Sequence, residues 1–166
     1  MSKNEDYKLF VIKDSGISNP SENLKLLIFP EDEEYFEDID IFKEYVCVYY
    51  KKNLQPFILI HDINSGNNTR LELGDGVGEL TPGLNKAFNT EKVKVEFSSP
   101  VNYKSIYEVD LKSKKSRIVQ QAKIKGVNSK DFVVRETFAP GKDGESVPLT
   151  ILHHKDMKLN RKNKTL

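Results

Sequence analysis

Cysteine, tryptophan, net charge and long apolar runs are all scarce in this chain, and each shortage excludes something. Cys47 is the single cysteine, so an intramolecular disulfide and a multi-cysteine zinc site are both excluded. A lone thiol suits a reducing compartment, and the expected setting is cytoplasmic. No stretch reaches the roughly 18 apolar residues of a membrane span. The first six residues, Met1 to Asp6, contain no apolar core of a secretory signal. The 26 Lys+Arg against 25 Asp+Glu leave a net charge of +1, which gives no whole-chain case for nucleic acid or an anionic membrane as partner. Tryptophan is absent and decides nothing.

What is present is polar but not disordered. Hydrophobic residues make up 37% of 166 residues and charged residues 31%. Mean hydropathy is −0.55. That is low for a closed core of this size. Aromatics at 10% argue against disorder.

The apolar spacing is mostly two. Short runs at 7–14, 24–29, 45–50, 57–63, 93–97, 106–111, 117–119, 132–138 and 147–153 each have strand length and strand composition. Tight turns are expected at Ser65-Gly66-Asn67-Asn68, Ser113-Lys114-Lys115-Ser116 and Lys142-Asp143-Gly144-Glu145. Gly74-Asp75-Gly76-Val77-Gly78 is expected to be a loop, and residues 78–88 are the one stretch that reads as helix.

An internal repeat orders these strands. Residues 44–72 and 91–118 both begin with Glu and an alternating strand, run into a second strand ending on Asp, then turn and restart at Arg. Glu44 maps to Glu91 and Arg70 to Arg117 at an offset of 47, and Asp62 maps to Asp110 at 48. A shorter copy ends on Asp14, again 48 before Asp62, and lacks its first strand. A period of 45–50 residues of antiparallel strands is what a propeller blade needs. The fold class expected is therefore all-β, a partial β-propeller of two to three antiparallel four-stranded blades.

Charge is uneven along the chain. Seven carboxylates lie between Glu31 and Asp40, read as a solvated connector between repeats. Their spacing is not that of a calcium loop. Lys155, Lys158, Arg161, Lys162 and Lys164 form a basic tail, read as disordered.

No catalytic constellation emerges. There is no Gly-x-Ser-x-Gly frame for a nucleophile elbow. His61 adjoins Asp62, but neighbours on a strand point to opposite faces. His153 and His154 are adjacent and lack metal-pair spacing. Cys47 sits between Val46 and Val48 and reads as a small buried hydrophobe. The Gly74-x-Gly76-x-Gly78 run has neither the dinucleotide nor the P-loop frame and reads as a break between blades. Asn67-Asn68-Thr69 and Asn163-Lys164-Thr165 match the glycosylation acceptor pattern and mean little without a signal peptide. Catalytic, cofactor-binding and metal-binding residues are all expected to be absent.

Three segments resemble a known family. Phe97 to Leu111 is similar to a strand pair in the last blade of prolyl oligopeptidase-family serine peptidases. Glu136 to Ile151, with Asp143-Gly144 and Val147-Pro148, resembles the hairpin that opens their α/β-hydrolase domain. Phe36 to Phe42 resembles a blade connector of the oligopeptidase B branch.

This resemblance implies a seven-bladed propeller capping a hydrolase domain, a Ser-Asp-His triad between the two, and exclusion of all but short peptides. The oligopeptidase B branch cleaves short basic peptides after Arg or Lys. The segments the family places after the hairpin, with the nucleophile elbow and triad, match nothing in this chain, so no catalytic role is carried onto any residue. The organisation it implies is a blade remnant at 1–30, a blade at 31–78, the last blade at 79–130, the opening hairpin at 131–154 and the tail at 155–166. The expected function is a truncated, non-catalytic piece of an oligopeptidase B-like endopeptidase. The alternative is a β-rich subunit that complements a separate hydrolase chain or binds another protein through open blade edges. Self-association is expected from the same open edges.

Overall fold

The computed structural model describes residues 8–12, 24–28, 31, 34–74, 76–160 and 163. Asp14, Asp75 and the tail's Arg161, Lys162 and Lys164 lie outside them. Strands account for the regular structure. β1 (Leu9–Val11) and β2 (Lys25–Ile28) form an antiparallel pair. A first four-stranded sheet follows, in the order β3 (Glu34–Ile41), β4 (Tyr45–Lys52), β5 (Gln55–Asp62) and β6 (Asn68–Glu72). A second has the order β7 (Glu79–Pro82), β8 (Lys92–Ser99), β9 (Asn102–Asp110) and β10 (Ser116–Gln121). After a 3-10 turn at Ser129–Asp131 comes a separate hairpin, β11 (Phe132–Pro140) and β12 (Ser146–His154). All pairings are antiparallel, and the two four-stranded sheets form the meandering blades of a partial propeller. Among the described residues no helix is long and apolar enough to cross a membrane.

Two expectations fail. The acidic segment is not a solvated connector, because residues 34–41 form β3, paired along β4 from Glu34↔Lys52 to Ile41↔Val46. Tyr35, Phe36, Ile39 and Ile41 supply strand-forming side chains between the carboxylates. A bulge between Phe36 and Asp38 shifts the register, so a simple two-residue alternation is not visible in sequence. The segment's carboxylates meet partners on other strands: Glu31 with Lys52, Glu34 with Arg70, Glu37 with Lys51, and Asp40 with Tyr49. The predicted helix at 78–88 is also absent. Residues 79–82 are β7, and Pro82-Gly83 opposes helix. Beyond Pro82, Asn85 stands in for strand backbone: its Oδ1 accepts from Lys94 N and its Nδ2 donates to Lys94 O.

The blades pack face to face. Tyr49, Ile58 and Ile60 of the first share one buried cluster with Leu80, Val93, Val95, Phe97, Val109 and Leu111 of the second. Each fully buried Val, Ile or Phe contributes roughly 1.5–3 kcal/mol. Gly74 and Gly78 lie close against the Phe97 ring of this core. A Cβ on Gly74, at φ +84°, would lie 2.4 Å from the Phe97 ring. Only glycine permits both that conformation and that approach. On its other face, Val46 and Val48 of β4 pack with Ile28 and Leu9 of the β1–β2 pair. β4 is therefore buried on both sides, which is why it reads as the unbroken apolar run Val46-Cys47-Val48-Tyr49-Tyr50.

Candidate functional site

The candidate site is the junction of the two blades and the hairpin that leaves them. At one end of the junction lie the turns that follow β5 and β9. They are copies of each other. Asp62 Oδ1 accepts from the amides of Asn64 and Ser65, and Asp110 Oδ1 accepts from those of Lys112 and Ser113. Those backbone hydrogen bonds, Ser65 N–H first for Asp62 and Ser113 N–H first for Asp110, hold both carboxyls below the ordinary value. Ile63 N donates to Glu44 O and Leu111 N to Glu91 O, so the glutamates of the repeat supply backbone acceptors. The repeated arginines differ. Arg117 bonds Glu108 across the β9–β10 pair, while Arg70 bonds the buried Glu34 and lies 3.6 Å from the Phe57 ring centroid.

Polar contacts cross between blades near this end. Asp40 Oδ2 accepts from the Tyr49 hydroxyl at 3.0 Å and from Asn85 Nδ2 at 2.9 Å. Lys43 N donates to Phe88 O at 2.9 Å. Cys47 lies fully buried opposite Asp40. Burial, with a smaller push from Asp40, raises its thiol to about 12, so it stays a protonated, unreactive group at neutral pH. The same two causes raise the Tyr49 hydroxyl.

The opposite end is more open. A cleft of about 340 Å³ is bordered by Lys51, Leu54, Gly78, Glu79, Ser98 and Pro100. The hairpin attaches on this side, where Leu54 N donates to Glu136 Oε1 at 3.3 Å. The hairpin's five-residue loop closes through Gly141 N to Glu145 O, with Gly144 at φ +85°. Val147, Leu149 and Ile151 share one side of β12 and are exposed, as are Phe138 and Leu152 on the other. A two-stranded ribbon with both faces uncovered is marginal in water.

The residues weighed from sequence do not converge. His61 is buried and its Nδ1 lies 2.8 Å from Asn68 Oδ1, its partner across the β5–β6 pair. It makes no pair with Asp62, which caps its own turn. His153 and His154 diverge on β12: His153 Nδ1 meets the His154 carbonyl, whereas the His154 ring packs edge-on against Phe132. Asn67 lies exposed in the β5–β6 turn. Among the described residues, no group of three or more His, Cys, Asp or Glu is placed to hold a metal ion. Sequence reasoning gave no individual role to Asn85, Glu136 or Lys114. The last stands where the matching turn has Gly66, an exchange visible in the repeat itself.

A model of the N-terminal beta-propeller domain of prolyl oligopeptidase matches residues 1–122. Prolyl oligopeptidase A of Galerina marginata is 25% identical over 135 residues, which cover 80% of this chain and 18% of that protein. Prolyl oligopeptidase dbiP of Dendrothele bispora is 31% identical over 105 residues, covering 60% and 14%. Among solved structures, oligopeptidase B from Trypanosoma brucei with covalently bound antipain superposes with a TM-score of 0.78 at 19% identity, over 92% of this chain and 22% of that one. Apo prolyl oligopeptidase B from Galerina marginata gives 0.73 at 21%, over 92% and 22%. The structural likenesses speak for the fold. The chain spans about a fifth of the length of these relatives.

Proposed function

This chain belongs to the prolyl oligopeptidase N-terminal β-propeller family, and from that premise we propose that it forms part of the access gate of a serine peptidase and carries no catalytic group of its own. In this reading residues 31–78 and 79–130 are two late blades, 1–30 belong to a preceding one, and 131–154 are the ribbon that enters the hydrolase domain. The observation that carries it is the pairing of a blade stack with a ribbon whose apolar side chains are uncovered. Such a ribbon needs a sheet or helix layer to pack against. A hydrolase domain, in the same polypeptide or another, is that partner. Acyl transfer requires a nucleophile, its base and an oxyanion hole in one geometry. The chain's role is steric instead, limiting substrates to short peptides.

The finer reading is the oligopeptidase B branch, with cleavage after Arg or Lys in short basic peptides and a cytoplasmic setting. The resemblance of Phe36–Phe42 supports that branch, and the free, buried Cys47 is compatible with a reducing setting. The names of the sequence relatives favour the prolyl branch instead.

A chimera separates these readings. Residues 31–154 replace the matching segment of Galerina marginata prolyl oligopeptidase A. The gate reading predicts that the chimera cleaves short peptides and spares long ones. Loss of size selection with intact turnover of short peptides contradicts it. Swapping Pro for Arg or Lys in the test peptides then reports whether these blades shift the preference. A second reading, pairing with another copy of the chain, draws on the same exposed ribbon. Light scattering across a concentration series tests it, and a stable monomer throughout counts against it.

A further inference from the structure

The two copied turns differ at one position. The fourth residue after each Asp adopts the left-handed conformation and donates its amide to the Asp carbonyl. In the first turn it is Gly66, at φ 72°, with open space where a side chain would start. In the second it is Lys114, at φ 59°. An L-residue there bears a conformational cost that glycine avoids, so a turn needing only to turn would carry glycine.

Lys114 uses its side chain. Its Nζ donates to the carbonyl of Leu111, a residue of the shared core. The same ammonium lies 4.7 Å from the ring centroid of Tyr45, the first residue of β4 in the neighbouring blade. Tyr45 is buried, and a cation over a buried ring is held more firmly than one at an exposed ring. Burial lowers the Lys114 pKa, and the nearby Asp62 and Asp110 carboxylates oppose that shift. Lys43 N to Phe88 O and Asn85 to Asp40 cross the blades in the same region, while the far end holds the open cleft.

We propose that Lys114 is a clasp that fixes the two blades to each other across Tyr45, at the end of the junction away from the hairpin. By holding that end together it fixes how the two blades sit against each other within a gate, a consequence that rests on the gate reading. The clasp itself stands on this chain alone.

Three variants test it, read by the thermal unfolding midpoint and by hydrogen exchange of the Lys43 amide, which donates across the blades. Lys114→Gly relieves the backbone conformation but removes the clasp. The expected result is a lower midpoint and roughly tenfold faster exchange at Lys43, a tenfold change being about 1.4 kcal/mol. Gly66→Lys imposes the conformation where the added Cβ meets open space, and is expected to lower the midpoint while leaving Lys43 exchange unchanged. Lys114→Met keeps the apolar stem and removes the charge, and is expected to exchange nearly as fast as Lys114→Gly. A Lys114→Gly variant with an unchanged or raised midpoint and unchanged Lys43 exchange overturns the clasp. Wild-type exchange in Lys114→Met overturns the role of the ammonium. Neither measurement involves a peptidase, so failure of the clasp is distinct from loss of size selection in the chimera.

Discussion

The two blades share a topology and differ in their faces. β4 of the first blade is apolar on both sides, toward the second blade through Cys47 and Tyr49 and toward β1–β2 through Val46 and Val48. In β8 of the second blade only one side is apolar. Val93, Val95 and Phe97 turn inward, while Lys92, Lys94 and Glu96 turn out. That outer side is laced by Lys92–Glu108, Lys104–Glu96 and Arg117–Glu108 pairs. The first blade is thus a middle layer that requires a sheet on each side. The second presents a face that water can cover. The same meander serves either position, and the position is written in whether alternate residues are apolar or charged.

Reversing face chemistry breaks this comparison. Val48→Lys puts a charge on the buried outer side of the first blade, in a cluster with Ile28, Leu9 and Phe36. We expect a loss of about 3 kcal/mol or more in urea unfolding. The outward substitution Lys94→Val on the second blade is expected to move stability by no more than about 0.5 kcal/mol. Similar losses from both would erase the distinction.

The shared core gives an effect of comparable size. Phe97→Ala leaves a cavity under the glycine loop and should cost about 3–5 kcal/mol. Gly74→Ala, which meets the Phe97 ring and a left-handed backbone together, should cost about 1–3 kcal/mol by the same assay.

Polar contacts between blades are weaker. Asn85→Ala removes the Asp40 contact and the mimicry of strand pairing to Lys94, and should cost about 1–3 kcal/mol. Acid should act on both blades alike, because their turns are copies. Asp62 and Asp110 have folded pKa values below their ordinary 3.8. A depressed carboxyl contributes stability above the unfolded value, and that contribution is lost as pH falls through the folded value. Destabilisation is therefore expected below about pH 4, and Asp62→Asn with Asp110→Asn should flatten this part of the pH profile. An unchanged profile would remove the turns from the account. The smallest effect is expected for Arg117→Ala, whose exposed pair with Glu108 contributes about 0.2–1 kcal/mol and weakens with salt.

Much of this was legible in the sequence, and what was not has physical causes. The alternation Val93-Lys94-Val95-Glu96-Phe97 marks a one-sided strand, and the doubled Glu–Asp–Arg pattern marks the repeat. β3 was hidden because carboxylates dominate its composition and a bulge breaks its period. Its charges are tolerated because Arg70, Lys51 and Tyr49 meet them after folding, which spacing along the chain does not reveal. β7 is only four residues long, and the next position of the ladder is taken by the Asn85 side chain. The hairpin was legible in the apolar runs at 132–138 and 147–153 and the turn between them, whereas its bond from Leu54 to Glu136 joins residues 82 apart. Gly74 and Gly78 read as a break between blades, and the Phe97 ring beneath them appears only in three dimensions.

The central proposal is that these residues gate a peptidase and do not catalyse. Its most direct test is turnover by the purified chain on chromogenic peptides ending in Arg, Lys and Pro, beside labelling with a serine-reactive phosphonate. The account predicts no turnover and no label at any serine. Sustained cleavage together with stoichiometric labelling of one serine would contradict it.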